Sequence, residues 1–337
     1  MFDFQKTIKI LLYCFVIGSV CSCASKRVVE KDRVELPVYK KNASLNLDPS
    51  SEELGILTYN IKAIGTKNVE ETNAFIEYAR AEDFSILLLQ EVFSEKTRQY
   101  ILDSLENKYS YQVDRVDYSG FWRSICHDAG LMILSKYPMV DISDIQFGPE
   151  VENKGHFFHQ FLPKEVSITL DFMSNKSILG TLVELPNESH LLAYTTHTQA
   201  FGSPKHKSNQ YRIIYEFIEK SVNELVLAGK ISPDKTAIIL TGDLNTNSYW
   251  EKQYSELLKQ LNQPNDIHLL HNKEREEYTF SASIFNMLFR FDYIFNYDRI
   301  GEYNLLPLEI KSAKVTDIRV KGKSISDHLP MISVLRY

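Results

Sequence analysis

The segment KTAIILTGDLNTN, Lys235 to Asn247, begins as an apolar, β-branched run and ends on an acid and an amide two residues apart. Lys235 to Leu240 has the composition of a strand buried on both faces. Gly242 interrupts the run, and the spacing of Asp243 and Asn245 lets both side chains point the same way from the strand's end. A carboxylate and a carboxamide set together at a strand terminus suit a hydrolytic site.

The pattern extends outward from this strand as alternating strand-like and helix-like segments with no internal repeat. Upstream, LGILTYNI (Leu54–Ile61) reads as a strand, and NVEETNAFIEYARAE (Asn68–Glu82) puts Val69, Phe75, Ile76 and Ala79 at helical spacing. SILLLQEV (Ser85–Val92) reads as a buried strand ending in a carboxylate, which completes a βαβ start. After a helical stretch near Ser94–Lys108 come the strand candidates YQVDRV, GLMILSKYPM, SILGTLVEL and HLLAYTTHT, with little helix between them. Lys207–Leu227 carries Ile213, Ile214, Phe217, Ile218, Val222 and Leu225 on one face, and Gly229 would stop that helix. Beyond Asn245 follow a helix near Trp250–Leu261, the strand FDYIFNY and a closing SDHLPMISVLRY. The expected class is α/β, with two mixed sheets packed face to face and helices outside.

The chain has 337 residues, 44% hydrophobic and 24% charged, the composition of a globular protein with a sizeable core. Its formal net charge of -6 argues against the broad basic surface of a duplex-binding protein and favours a neutral or zwitterionic substrate. SPKHK (Ser203–Lys207) and Arg212 are too sparse a basic patch to make nucleic acid the expected partner.

The amino end differs. Lys6 and Lys9 precede ILLYCFVIGSV (Ile10–Val20), an apolar run of signal-peptide rather than transmembrane length. In VCSCAS, Val20 and Ser22 stand at the third and first positions before Cys23, which resembles the bacterial lipobox cleaved ahead of a lipidated cysteine. That resemblance implies a signal peptide over residues 1–22, lipidation at Cys23, a polar tether over 23–50 and one catalytic domain over 51–337. An ordinary secretory signal or an uncleaved anchor is the other reading. With Cys14 and Cys21 leaving and Cys23 lipidated, only Cys126 remains, so no intramolecular disulfide is expected.

Chemically distinctive residues collect at the strand ends: Asn60, Glu91, His197, Asp243, Asn245, Asp292, Asp327 and His328. Each alone also fits a helix cap, a solvated loop residue or a structural histidine. Together and in order, LTYNI, LLLQEV, GLMILSKYP, TTHTQA, TGDLNTN, FDYIF and SDHLP resemble the endonuclease/exonuclease/phosphatase superfamily from about Leu54 to the carboxyl terminus. The resemblance implies a DNase I-like four-layer α/β sandwich and metal-assisted hydrolysis of a phosphoester. On it, Glu91 and Asn60 would hold Mg2+, with Mn2+ also admissible, and Asp327 would support that site from behind. His328 would be the general base, oriented by Asp292; Asp243 and Asn245 would hold the attacking water and a phosphate oxygen; His197 would face the developing charge.

Within the superfamily, THTQA (Thr196–Ala200) is similar to a segment of neutral sphingomyelinases, and DFMSNKSILG (Asp171–Gly180) resembles a segment that assigns Asp171 and Lys176 to substrate recognition. The expected substrate is a phospholipid or sphingolipid cut to ceramide and a phosphorylated head group. The enzyme would be an exported monomer, anchored to a bacterial membrane on its periplasmic or outer side. A DNase I-like endonuclease, an inositol-phosphate phosphatase and a non-catalytic lipid-binding lipoprotein are the alternatives. One departure stands out: secreted bacterial sphingomyelinases carry an aromatic-tipped hairpin shortly before the final Asp-His, whereas KSAKVTDIRVKGKSI (Lys311–Ile325) has no aromatic residue. GHFFHQFLP (Gly155–Pro163) and SIFNMLFRF (Ser283–Phe291) are the apolar stretches that could contact lipid, although stretches of this length are commonly core.

Overall fold

The structure, a computed structural model, describes residues 39–41, 52–64, 67–116, 128–166, 174–273, 277–282 and 287–337. The strands that build its two large sheets are, in chain order, β1 (Tyr39–Lys41), β2 (Glu53–Asn60), β3 (Ile86–Gln90), β4 (Tyr111–Val113), β5 (Met132–Ser135), β6 (Glu152–Asn153) and β7 (Phe158–Leu162). They continue with β8 (Lys176–Glu184), β9 (His190–His197), β10 (Thr236–Asp243), β11 (Asn265–Asp266), β12 (Asp292–Tyr297), β13 (Glu309–Val315) and β14 (Met331–Arg336). The helices are α1 (Val69–Ala81), α2 (Glu95–Leu105), α3 (Pro204–Leu227), α4 (Glu251–Gln260) and the short α5 (Ile267–Asn272).

One seven-stranded sheet runs β1-β4-β5-β3-β2-β14-β13 and the other β11-β12-β10-β9-β8-β7-β6. Each has a single parallel pair at its centre, β2 with β3 and β9 with β10, and its remaining pairs are antiparallel. A parallel pair needs a crossover, supplied by α1 in the first sheet and α3 in the second. Side chains at Asn68, Ser94 and Ser203 accept from backbone N–H groups of the first turns of α1, α2 and α3, which fixes where each crossover starts.

Three apolar clusters define the layers. Leu57, Tyr59, Leu87 and Leu89 meet Phe75, Ile76, Ile101 and Leu102 of α1 and α2 on one outer face. Ile238, Leu240 and Leu192 meet Ile214, Phe217, Ile218 and Leu257 of α3 and α4 on the other. Between the sheets lie Leu54, Ile56, Ile86, Leu88, Leu191, Ala193, Ala237, Ile239 and Ile294. The result is the expected four-layer sandwich, and the alternation of strand side chains explains why adjacent residues enter different clusters.

Two segments bear on the sequence-level expectation. Within the span read as a tether, Tyr39–Lys41 pairs antiparallel with Tyr111–Val113, so a short edge strand interrupts the polar stretch. GHFFHQFLP is core and not a lipid contact, since Phe157, Phe158 and Leu162 are buried in and beside β7.

Gly242 is required where β10 meets β9. Its φ is +130°, and a Cβ there would stand 2.0 Å from the Thr196 carbonyl oxygen. No side chain fits without parting the two strands. Gly242→Ala is therefore expected to lower stability by about 3 kcal/mol or more, read from chemical denaturation, and a loss under about 1 kcal/mol would contradict this account of the strand contact.

Candidate active site

Strand alternation sends every second residue into the space between the sheets, and at one end of the sandwich those residues change character. On β2 the inward series is Leu54, Ile56, Thr58, Asn60; on β9 it is Leu191, Ala193, Thr195, His197; on β10 it is Ala237, Ile239, Thr241, Asp243. β12 runs antiparallel to β10, so it brings Asp292 opposite Asp243 at that same end. A polar floor closes the apolar layer beneath them. Gln90 Nε2 donates to Thr58 Oγ1 at 3.0 Å and to Thr195 Oγ1 at 2.9 Å, joining the two sheets.

Above the floor, Asn60 Nδ2 crosses from one sheet to the other to donate to Asp243 Oδ2 at 3.1 Å. Asp243 Oδ1 accepts the Asn245 backbone N–H at 2.9 Å, and the Asn245 side chain, on a residue with φ 50°, donates to the Thr198 carbonyl at 2.9 Å. His328 Nδ1 lies 2.9 Å from Asp292 Oδ2, while its Nε2 is 3.5 Å from Asp243 Oδ2. Thr279 Oγ1 accepts the backbone N–H groups of Phe291 and Asp292 at 3.0 and 3.1 Å, and Phe280 sets its ring 4.9 Å from the imidazole of His328.

Glu91 follows β3 in a left-handed backbone conformation, φ 56°, which swings its side chain toward the gap. Its Oε1 is 3.7 Å from His197 Nε2, and that nitrogen is equally 3.7 Å from Asp243 Oδ2. Lys176, buried at the start of β8, is near enough for its charge to act on both Glu91 and His197.

The electrostatics follow from crowding these groups away from water. Burial raises Glu91, with His328 and Lys176 pulling it back, and burial raises Asp243 against the opposing charge of His328. His197 is held well below the ordinary histidine range by burial and by the cations Lys176 and His328, so it is neutral. Burial alone would also lower His328, but Asp292 and Asp243 outweigh it and raise the imidazole to about 10.

The donor set fits a hard divalent cation. The half-buried carboxylate of Glu91, the buried carboxylate of Asp243 and the amide of Asn60 converge, Asp292 Oδ1 is buried with no hydrogen-bond partner, and Asp243, Asp292 and His328 offer ligand atoms within 4.8 Å of one another. Oxygen donors in excess of the local cations are what such an ion selects.

The pattern of the Endonuclease/Exonuclease/phosphatase family matches residues 57–328. The chain belongs to this family. Enzymes of the family are hydrolases that use divalent metals, in agreement with the oxygen-rich cluster. A sphingomyelinase of Dictyostelium discoideum is 26% identical over 194 residues, an alignment covering 49% of this chain and 37% of that protein's length. Among solved structures, Staphylococcus aureus beta toxin with bound magnesium ions superposes with a TM-score of 0.58 at 20% identity, over 83% of this chain and 99% of the toxin. D. rerio TDP2 complexed with single-strand DNA product gives 0.57 at 16%, over 85% and 100%. At these identities the two structures show a shared fold.

The family fold thus brings Asn60, Glu91, Lys176, His197, Asp243, Asn245, Asp292 and His328 to one end of the sandwich. Asp327 is at the same place in the chain but turns to an ion pair with Lys62. Asp171 and Cys23 lie outside the described residues. Sequence reasoning missed Gln90, Thr279 and Arg290. Arg290 is fully buried, binds Asp266 and Ser248, and accepts the Ser248 N–H on its carbonyl, so it pins the loop after Asp243. A lone arginine in the apolar run just before Asp292 was the available signal.

Replacing Asp292 with Asn removes the negative charge that favours the protonated imidazole. The pKa of His328 should then fall, by about one to three units, in an NMR titration of the metal-free protein. An unchanged titration would exclude Asp292 as the partner that holds His328 protonated.

Proposed function

We propose that this hydrolase is a sphingomyelinase C-type phosphodiesterase, releasing a phosphorylated head group from sphingomyelin or a related phosphosphingolipid and leaving ceramide. The observation that carries the phosphodiesterase reading is the His328–Asp292 pair at 2.9 Å, set with its other ring nitrogen beside Asp243 and with Glu91 and Asn60 close by. The sphingolipid reading is supported by the sphingomyelinase relative, by the THTQA segment and by a net charge of -6 that does not favour a nucleic-acid groove.

Glu91 and Asn60 would hold the cation, Mg2+ or Mn2+, with Asp327, paired to Lys62, supporting the site from behind. Bound there, it would neutralise phosphate charge, polarise the phosphoryl oxygens and offset the carboxylate field that keeps His328 protonated. In its neutral form His328 accepts a water proton at Nε2, and Asp292 stabilises the imidazolium that results. Asp243 and Asn245 position that water and a phosphate oxygen for attack opposite the ceramide oxygen. Neutral His197 presents an N–H to the negative charge that builds up as the bond to ceramide breaks, and Lys176 meets the head-group phosphate as a point charge, with Asp171 also assigned to substrate recognition. Export and a lipid anchor at Cys23 complete the proposal; among the described residues no helix is long and apolar enough to cross a membrane.

The test offers the purified protein sphingomyelin, phosphatidylcholine, ceramide phosphoinositol and plasmid DNA side by side, with Mg2+ and with EDTA. We expect EDTA-sensitive release from the sphingolipids, and a fall in kcat/KM of about a thousandfold in His328→Ala and in Glu91→Gln, with the fold retained. DNA nicking without lipid cleavage would overturn the substrate, and activity retained in either variant would overturn the assigned role.

A further inference from the structure

Helix α2 turns Ile101, Leu102 and Leu105 into the outer apolar layer, and Arg98 is buried with them. Its side chain is 1% exposed and that of its partner Asp128 2%, with Arg98 Nη2 2.7 Å from Asp128 Oδ2. An ion pair this deep regains in Coulomb attraction little more than its charges lose in hydration, and aliphatic side chains would fill the space without that loss. The contribution that sets this pair apart from such a filling is geometric.

The Nη2 group that meets Asp128 also donates to the Val92 carbonyl, one hydrogen to each. Asp128 Oδ1 accepts the Gly130 N–H at 2.6 Å, and the Gly130 carbonyl accepts the Val92 N–H at 2.9 Å. Arg98, Asp128, Gly130 and Val92 thus close a ring of hydrogen bonds that grips Val92 by both its N–H and its C=O. Glu95 steadies the guanidinium from the other side. Its Oε2 accepts from Arg98 Nη1 at 3.4 Å, and its Oε1 accepts from Arg115 at 2.6 Å.

Val92 is the residue after Glu91, whose φ of 56° turns its carboxylate toward the gap between the sheets. A residue other than glycine keeps a left-handed conformation only where the chain on either side is fixed. Before the turn, backbone groups do this: Ile61 donates to the Gln90 carbonyl at 3.1 Å and Ala63 to the Glu91 carbonyl at 2.9 Å. After it, the ring through Arg98 and Asp128 takes over, and it does so from a helix on the outer layer.

We propose that the buried Arg98–Asp128 pair is a positioning device for the reaction: by clamping Val92 it holds Glu91 in the left-handed turn that aims its carboxylate at the site's cation. The inference rests on the reading of Glu91 as a ligand of that cation. Groups behind a metal ligand act in this way by fixing the ligand's direction, so their loss shows first in metal affinity.

Calorimetric Mg2+ binding to the full chain tests this as a cycle. The neutral replacement Arg98→Met with Asp128→Asn, which leaves no buried charge without its partner, is measured with Glu91 intact and with Glu91→Gln, each titrated until it saturates. With Glu91 intact the affinity should fall at least about tenfold. With Glu91→Gln already in place the further loss should stay under about twofold, because the pair acts only through that carboxylate. Unchanged affinity in the first background, or an equal loss in both, would overturn the proposal. If the paired replacement does not fold, Arg98→Lys decides the matter. Its ammonium stops short of the Nη2 position and cannot hold Asp128 and the Val92 carbonyl together, so Mg2+ affinity should fall at least about threefold, and the parent's affinity would overturn the proposal. Absence of Mg2+ binding in the parent protein would remove the metal reading itself, and this inference with it.

Discussion

Three carboxylates, Glu91, Asp243 and Asp292, share one desolvated pocket whose nearby cations are Lys176 and the imidazolium of His328. Like charges brought together out of water are unfavourable unless something holds them there. Here the holding element is the strand register. Asp243 faces Asp292 across one antiparallel pair and lies beside His197 across one parallel pair, and Asn60 reaches it from the other sheet. Each sheet contributes a parallel pair with an outer helix, and the strand ends of both pairs open on the same gap.

The apolar layer supplies the stability that this arrangement consumes. The same strands that end in Asn60, His197 and Asp243 bury Ile56, Ala193 and Ile239 a few residues earlier, and Gln90, Thr58 and Thr195 make the transition between the two environments. Strain is placed next to the chemistry: Glu91 and Asn245 hold positive φ, and Gly242 avoids a clash that any other residue would suffer. Such local departures persist only where surrounding structure over-determines them. The consequence for function is rigidity, since the oxygen donors are preset before a cation or substrate arrives.

Much of this was legible in the sequence because period-two burial leaves a mark. KTAIILTGD and SILLLQE announce strands that end in acids, and the helical face of Ile214, Phe217, Ile218, Val222 and Leu225 announces the crossover that makes β9 and β10 parallel. Convergence of Asn60, Asp243 and His328 was not legible from spacing alone, because 268 positions separate the first from the last and resemblance to a family supplied their grouping. The edge strand Tyr39–Lys41 escaped notice since its pairing is backbone to backbone and its composition is that of a polar linker. Gln90 and Thr279 were hidden for a related reason: a buried polar residue reads as an interruption until its partners are known. The region before the final Asp-His forms a small hairpin, Arg319–Val320 with Lys323–Ser324, whose strands carry the charges of Arg319 and Lys323.

Since the cluster's excess negative charge is what makes a cation its natural complement, the decisive measurement is equilibrium Mg2+ binding by calorimetry to the wild-type protein and to Glu91→Gln. We expect saturable binding in the wild type that weakens at least about tenfold when the Glu91 carboxylate is lost. Undiminished binding in Glu91→Gln, or none in the wild type, would contradict the claim that these strand ends form one metal-assisted hydrolytic site.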